Sequence, residues 1–290
     1  MKKLLGVYLI VFFGLAFYGC KNKGIGKNYS SAPDAFYLKA DNVALTTTIL
    51  TQGSNSNKIT DLWLYVNEQF KGAYPVGATL PIVSTGYTEI TLFPGIKNNG
   101  IAATRQPYEF YAPLKIDTII DPKTIIDRKL NFQYKSGAIF HFLESFEGFG
   151  SSTGITINKS SNSEVTFTVL ANSDGYEGKY MYFEMGPNDQ TAQFESASQS
   201  FNLPASGAPV YLELNYKCDA PFSVGVYNGT TYRPVVTVNS SAEWNKIYCQ
   251  LTYGVSTPPV FNSYGIYITV FKKNSDQPRF FIDNLKLISY

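Results

Sequence analysis

Residues 62–72 have the sequence LWLYVNEQFKG, and this stretch decides the fold class. Apolar side chains alternate in it with aromatic ones, Leu62, Leu64 and Val66 against Trp63 and Tyr65. Such alternation is typical of a β-strand that buries one face, because successive side chains of a strand point to opposite sides. The polar link Glu68-Gln69 then leads to a second strand from Phe70, so the stretch predicts a β-hairpin.

The composition extends this prediction to the whole chain. Its 290 residues include 22 tyrosines and 21 phenylalanines, which favour the half-buried surface of a pleated sheet. Outside residues 1–20, no window shows a sustained helical period of apolar residues. We therefore predict an all-β chain, and its length suits two β-sandwich domains, at residues 36–140 and 141–290.

Further strands are predicted in both domains. In the first domain they lie at residues 43–51, 62–67, 70–76, 79–84, 88–93 and 108–111, and Asn98-Asn99-Gly100 marks a turn. In the second domain they lie at residues 164–170, 179–185, 195–202, 210–217, 222–227, 246–252, 265–271 and 280–288. A series of strands separated by Gly, Pro, Asn and Ser turns predicts a two-sheet jelly roll.

The first twenty residues predict export. Two lysines precede an uncharged run at residues 4–17, and Tyr18-Gly19-Cys20 follows, which is the layout of a signal peptide. The run is shorter than the ~20 residues of a membrane-spanning helix. A Gly-Cys pair at this place resembles the cleavage site of bacterial lipoproteins, which implies removal of residues 1–19 and lipid, such as palmitate, on Cys20. An ordinary cleaved signal and a short N-terminal anchor are the alternatives.

The net charge of the exported chain and the segment around Cys20 indicate how the chain is attached to the membrane. Residues 20–35 hold few apolar side chains, so they predict a flexible tether. Removal of residues 1–19 takes two of the 24 basic residues, which leaves as many as the 22 acidic ones. A chain without net charge is not expected to bind nucleic acid, and its attachment to the outer membrane is assigned to the lipid. The cell-surface face is favoured over the periplasmic face, although Lys21 and Lys23 stand where surface-exported lipoproteins carry acids.

Two resemblances add expectations. LWLYVNEQFKGAYPV and LFPGIKNNGIAATRQPYEFY, at residues 62–76 and 92–111, are similar to outer-membrane lipoproteins of unknown function from Bacteroidota. In the second domain SFEG, GKYMYFEM, the strand led by Trp244 and the segment FFIDNLKLI resemble galactose-binding-like jelly rolls used as carbohydrate-binding modules. In that family an acid near the first strand and one on the last often share calcium. The resemblance therefore implies a structural calcium ion at Glu144 or Glu147 with Asp283.

Cys218 and Cys249 remain once Cys20 is assigned to lipid, and an oxidising compartment favours a disulfide between them. Strand alternation points both side chains inward. In a jelly roll of the usual order their two strands belong to opposite sheets, so the bridge is predicted to cross the core. Two free, buried cysteines are the alternative.

No motif predicts catalysis or a catalytic cofactor. His141 is the only histidine, which excludes a zinc site built from several histidines, and its apolar neighbours predict a buried, hydrogen-bonded ring. Residues 150–154 match Gly-x-Ser-x-Gly, but this loop precedes a strand rather than a helix, so it predicts a turn and not a nucleophile elbow. Glu144 and Glu147 form the most conspicuous carboxylate pair, but their odd spacing on an extended segment points them to opposite faces. We therefore predict that the protein is not an enzyme.

The outward rings of Trp63 and Tyr65 are the feature that indicates a binding surface, because flat rings stack on sugars or anchor a protein partner. We predict a non-enzymatic, lipid-anchored outer-membrane scaffold or binding subunit that presents its β-sandwiches to another outer-membrane protein, in an export or assembly complex. The alternative is a glycan-binding surface lipoprotein that works with a nutrient importer. Coverage of both rings by a neighbouring strand or domain would remove this surface.

Overall fold

The computed structural model describes residues 35–84, 86–119, 123–148, 156–197, 201–272, 274 and 276–290. Ala35–Tyr290 form a compact unit. Within the described part of the chain, no helix is both long enough and apolar enough to pass through a membrane. The signal peptide, Cys20 and the tether up to residue 34 lie outside the described residues. Those assignments, and the domain boundary after residue 140, stay predictions.

The first part of the unit is a small β-sandwich. Its strands are β1 (Ala35–Lys39), β2 (Val43–Thr46), β3 (Asp61–Val66), β4 (Gln69–Pro75), β5 (Thr79–Val83), β6 (Tyr87–Lys97), β7 (Arg105–Pro107), β8 (Leu114–Ile119), β9 (Ile125–Ile126) and β10 (Leu130–Gln133). A one-turn helix α1 (Ile49–Gln52) follows β2, and a 3₁₀ turn (Ala102–Thr104) precedes β7. One sheet has the order β4-β3-β6-β7, with β8 also on β6, and the smaller sheets are β5-β1-β9 and β10-β2.

The core of this sandwich follows the alternation of β3. Leu62 and Leu64 are fully buried and Val66 is nearly so, and they pack with apolar side chains of β1, β5, β6 and β10. The hairpin turn after β3 consists of Asn67 and Glu68, both at positive φ, and Gln69 already begins β4. The predicted link at Glu68-Gln69 was therefore one residue late, because asparagine takes the left-handed conformation more readily than glutamine.

The second part is a jelly roll. Its strands are β11 (Ile139–Glu144), β12 (Ile157–Lys159), β13 (Thr168–Leu170), β14 (Tyr180–Glu184), β15 (Thr191–Ser196), β16 (Val210–Cys218), β17 (Phe222–Tyr227), β18 (Tyr232–Val238), β19 (Ser241–Gln250), β20 (Gly265–Phe271) and β21 (Arg279–Ser289), with a short helix α2 (Thr252–Ser256). One sheet has the order β13-β14-β21-β16-β19, with β11 also on β21, and the other the order β12-β15-β20-β17-β18. Apolar side chains from both sheets form one core. The predicted all-β class with two sandwiches is confirmed.

Two predicted strands of the first sandwich are wrong in part or in whole, and the strand predicted at residues 195–202 of the jelly roll shares only residues 195 and 196 with β15. The segment at residues 43–51 leaves the sheet after Thr46 and turns into α1, which ends at Gly53 with a positive φ of 69°. The segment at residues 108–111 forms only an isolated bridge, between Tyr111 and Tyr134. Its tyrosines are instead buried where the two sandwiches meet.

A buried polar cluster joins the sandwiches over the outer face of β16, β19 and β21. We call it the junction network, and its members are Tyr108, Tyr134, Glu213, Lys246 and Lys286. The Glu213 carboxylate accepts hydrogen bonds from the hydroxyls of Tyr108 at 2.8 Å and Tyr134 at 2.9 Å, and it lies 2.9 Å from Lys246 Nζ. Burial would raise the pKa of Glu213, but the two ammonium groups outweigh it and hold that pKa below its usual value. The carboxylate is therefore charged inside the interface.

Candidate binding surface

Four aromatic side chains form a continuous patch on the outer face of the first sandwich. We call it the aromatic platform, and its members are Trp63, Tyr65, Phe70 and Phe93. Phe70 lies 5.5 Å from Trp63 and 5.3 Å from Tyr65, and Phe93 lies 5.2 Å from Tyr65, between ring centroids. Trp63 and Tyr65 are half-buried, whereas Phe70 is 50% exposed. Within the part of the chain that the structure describes, no neighbouring element buries Trp63 and Tyr65 completely.

The indole of Trp63 is fixed by a buried carboxylate. Its Nε1 donates a hydrogen bond of 2.8 Å to Asp61 Oδ1, and the other oxygen of Asp61 accepts one of 2.7 Å from Thr60. Gly95 pairs with Asp61 across the sheet, and a Cβ at that position would lie 2.1 Å from Asp61 Oδ1. Only glycine leaves room for this contact. Because the indole N–H is already bonded, the ring offers its apolar face to a ligand.

Polar side chains border the platform. Glu89 and Lys115 lie on neighbouring strands with 3.5 Å between their charged atoms. Lys115 is opposite Thr91, and Thr91 is opposite Tyr65, so this charged pair lies on the same face of the sheet as the rings. An apolar centre with hydrogen-bonding groups around it is the usual composition of a recognition surface.

The two glutamates of the predicted calcium site hold backbone amides of their own sandwich. Glu144 is 5% exposed and accepts hydrogen bonds from the amides of Phe146 at 2.7 Å and Thr156 at 2.6 Å. Glu147 accepts from the amide of Lys179. Both carboxylates thus hold loops of the jelly roll in place.

Asp283, the third predicted ligand, is fully buried on β21. Burial first, and then the charges of Glu177 and Glu147, raise the pKa of Asp283 to about 8. Across the described residues, no group of three or more Asp, Glu, His or Cys side chains is arranged to hold a metal ion. The calcium ion therefore stays a prediction.

We expect calcium added to chelator-treated protein to raise the Tm by about 5 °C, because a ligand that binds only the folded state stabilises it by mass action. The Asp283→Asn variant should lose this rise. Thermal unfolding followed by circular dichroism measures both. A Tm that is the same in calcium and in excess chelator contradicts the site.

The predicted disulfide is wrong. Cys218 and Cys249 are both buried and free. Their side chains point into the core as predicted, but β16 and β19 are neighbours in one sheet, where Cys249 pairs with Leu212. Cys218 lies six residues farther along β16, or roughly 20 Å at the rise of a strand, and a disulfide needs Cα atoms within ~7 Å.

His141 is half-buried on β11, and its Nε2 lies 2.7 Å from Ser289 Oγ. Burial lowers the pKa of this imidazole. The ring has a hydrogen-bond partner as predicted, but it is less buried than its apolar neighbours suggested. It is therefore neutral at pH 7 and structural.

A second aromatic surface was missed by the sequence analysis. Trp244, Tyr176 and Tyr182 are partly exposed on the outer face of the jelly-roll sheet, beside the region that the first sandwich covers. Trp244 Nε1 donates a hydrogen bond of 2.6 Å to the backbone oxygen of Asp174, so this indole is fixed as well. Tyrosines at alternate positions of GKYMYFEM were the available signal.

Comparisons with known proteins give only a distant likeness in shape to solved structures. No family model and no curated protein matches it. A carbohydrate-binding module of family 61 in complex with β-1,4-galactotriose has 18% identity over 51% of this chain and 95% of its own, with a TM-score of 0.33. A module of family 29 has 15% identity over 52% and 88%, with a TM-score of 0.35. An arabinose-bound α-L-arabinofuranosidase has 11% identity over 46% of this chain but only 23% of its own, with a TM-score of 0.38. Likeness at this level assigns no ligand to the chain.

Proposed function

We propose that this chain is a non-enzymatic, lipid-anchored outer-membrane protein of the Bacteroidota type that binds a glycan on its aromatic platform. The observation that carries the proposal is the fixed, half-exposed indole of Trp63 among three further rings. A pyranose presents apolar C–H groups on its faces, and these stack on aromatic rings. The alternative function of the sequence analysis, a glycan-binding lipoprotein that works with an importer, becomes the favoured one.

The platform suits a sugar because it is rigid before the ligand arrives. Asp61 holds the indole, and Gly95 keeps the space beside it free. A preorganised surface loses little conformational entropy on binding. Glu89 and Lys115 lie beside the rings and supply an acceptor and a donor for hydroxyl groups.

The anchor is proposed from the sequence. Cys20 follows the signal peptide, and a lipid there would hold the two sandwiches at the outer membrane through the tether. A glycan held at the cell surface in this way would be delivered to an importer in the same membrane.

Docking to another outer-membrane protein is the second candidate, and one surface favours it. The sheet β5-β1-β9 exposes Tyr37 (38%), Val83 (55%) and Ile125 (55%) on neighbouring strands. Exposed apolar side chains that lie together mark protein contacts more often than sugar sites. This surface belongs to the other sheet of the first sandwich, so the two functions can be tested apart.

Loss of the indole tests the glycan proposal. In affinity electrophoresis through gels that contain neutral polysaccharides, galactan and glucomannan among them, we expect Trp63→Ala to weaken retention by about tenfold, or ~1.4 kcal/mol. Phe271→Ala is the matched control, since this ring is 68% exposed on the jelly roll, away from the platform. Equal retention of Trp63→Ala and the wild type, or no retention of the wild type on any polysaccharide, refutes the proposal.

A further inference from the structure

A cleft of about 440 Å³ lies where the first sandwich meets one end of the jelly roll. The first sandwich contributes residues 58, 60, 97 and 99–101, and the jelly roll contributes residue 216 and parts of β18, β19 and the turn between them. A cleft of this volume accommodates a ligand of the size of one or two sugar rings. It is separate from the aromatic platform, which lies on the outer face of β3, β4 and β6.

The cleft carries an unbalanced positive charge. Lys58 and Lys97 both line it, and its lining contains no aspartate or glutamate. Among the described residues, neither lysine has a carboxylate within 4.0 Å, although four such pairs occur elsewhere. Partial burial, and then the like charge of Lys97, lower the pKa of Lys58. Two ammonium groups that line one cleft without a carboxylate attract an anion.

Neutral hydrogen-bonding groups surround the two lysines. Lys58 Nζ donates to Asn245 Oδ1, and Asn245 Nδ2 donates to the Tyr216 hydroxyl at 3.0 Å. Asn99 is fixed in a turn at φ 54°, and its Oδ1 accepts the amide of Gln250 at 2.7 Å. The Nδ2 of Asn99 therefore remains as a donor at the cleft. A cleft lined by several amide and hydroxyl groups suits a ligand with several hydroxyl groups.

We propose that this cleft binds a sugar that carries a carboxylate, with Lys58 and Lys97 on the carboxylate and the amides of Asn99 and Asn245 on the hydroxyls. The carboxylate would supply the missing counter-charge, and hydrogen bonds from ammonium groups to it are about twice as strong as neutral ones. The proposal goes beyond glycan binding on the platform, since it assigns a second site and an acidic ligand. A free inorganic anion shares only the charge, so the test separates the two.

Isothermal titration calorimetry with galacturonate, galactose and sodium sulfate tests the site. We expect galacturonate to bind and galactose, which lacks the charge, to bind at least about tenfold more weakly. The double variant Lys58→Met/Lys97→Met should lose galacturonate binding by at least about tenfold. Lys159→Met, at an exposed lysine on β12 far from the cleft, should bind as the wild type does.

Several outcomes overturn the proposal. One is that the wild type fails to bind galacturonate, and another is that it binds galactose as tightly as galacturonate. A third is that the double variant still binds galacturonate while its Tm matches that of the wild type. Sulfate bound as tightly as galacturonate would assign the cleft to inorganic anions and also overturn it. The Trp63→Ala variant should keep galacturonate binding, so failure of the platform and failure of the cleft remain distinguishable.

Discussion

Replacement of Glu213 by alanine is expected to lower the free energy of unfolding by about 3–5 kcal/mol, the range for breaking a buried ion pair. Glu213 is 0% exposed and is the carboxylate of the junction network. Its loss leaves the ammonium group of Lys246 without a counter-charge and two tyrosine hydroxyls without an acceptor. Urea denaturation followed by fluorescence measures the change.

Two further variants control this prediction. Glu243→Ala, at an exposed position on β19, should change stability by less than about 0.5 kcal/mol. The double variant Glu213→Leu/Lys246→Met should recover part of the loss, because a buried ion pair can be replaced by apolar groups of similar volume. A loss below about 1 kcal/mol for Glu213→Ala would show that water enters the junction and solvates the charges.

The contribution of Lys286 to the stability of the protein is expected to rise with pH above neutrality. Burial, and then the charge of Lys246, lower the pKa of this lysine to about 7, against a partial opposing effect of Glu213 and Glu177. In the unfolded chain its pKa is near the ordinary value of a lysine side chain, 10.5. Between these values the unfolded chain binds more protons, so the free energy of unfolding increases with pH, by up to ~1.4 kcal/mol per unit. Below pH 7 the folded protein holds a charged, buried ammonium and this stabilisation is lost.

The difference between wild type and Lys286→Met isolates this effect. Chemical denaturation of both proteins from pH 6 to pH 9 should give a difference that changes by about 2–3 kcal/mol over the window. Contributions of the buried cysteines and of Asp283 cancel, since both proteins contain them. The upper limit avoids pH 10, where tyrosines of the unfolded chain ionise while buried Tyr108 and Tyr134 do not. A constant difference would mean that Lys286 is solvated in the folded protein.

The sequence alone predicted the features of the fold that depend on residues close together in the chain. The alternation around Leu64 identified the buried face of β3, and the predicted bounds of β17 and β20 agree with the structure. Both signals are local, because a strand with one buried face repeats every two residues. Outward orientation of Trp63 and Tyr65 followed from the same alternation, whereas Phe93 and Phe70 join them only through strand pairing.

Long-range pairing explains what the sequence did not reveal. The inward direction of Cys218 and Cys249 was right, but the choice of sheet depends on the order of all strands, which no local pattern contains. Tyr108 and Tyr134 are of a residue type that favours strands. Their hydrogen-bond acceptor, Glu213, is far away in the chain, so no local pattern indicates the contact. The cleft of Lys58 and Lys97 likewise combines residues of both sandwiches. Their charges were visible in the sequence, and their proximity was not.

The position of β21 has a consequence for how the jelly roll folds. This strand lies between β14 and β16 in the sheet, and its residues 285–289 also pair with β11 at residues 139–144. Three earlier strands therefore keep open edges until residues 279–289 have been synthesised and, in an exported chain, translocated. Contacts so distant in the chain close slowly, and open edges invite pairing with other chains in the meantime. The long-lived, aggregation-prone species of this protein should thus be a chain whose first sandwich has formed while the jelly roll still waits for its central strand.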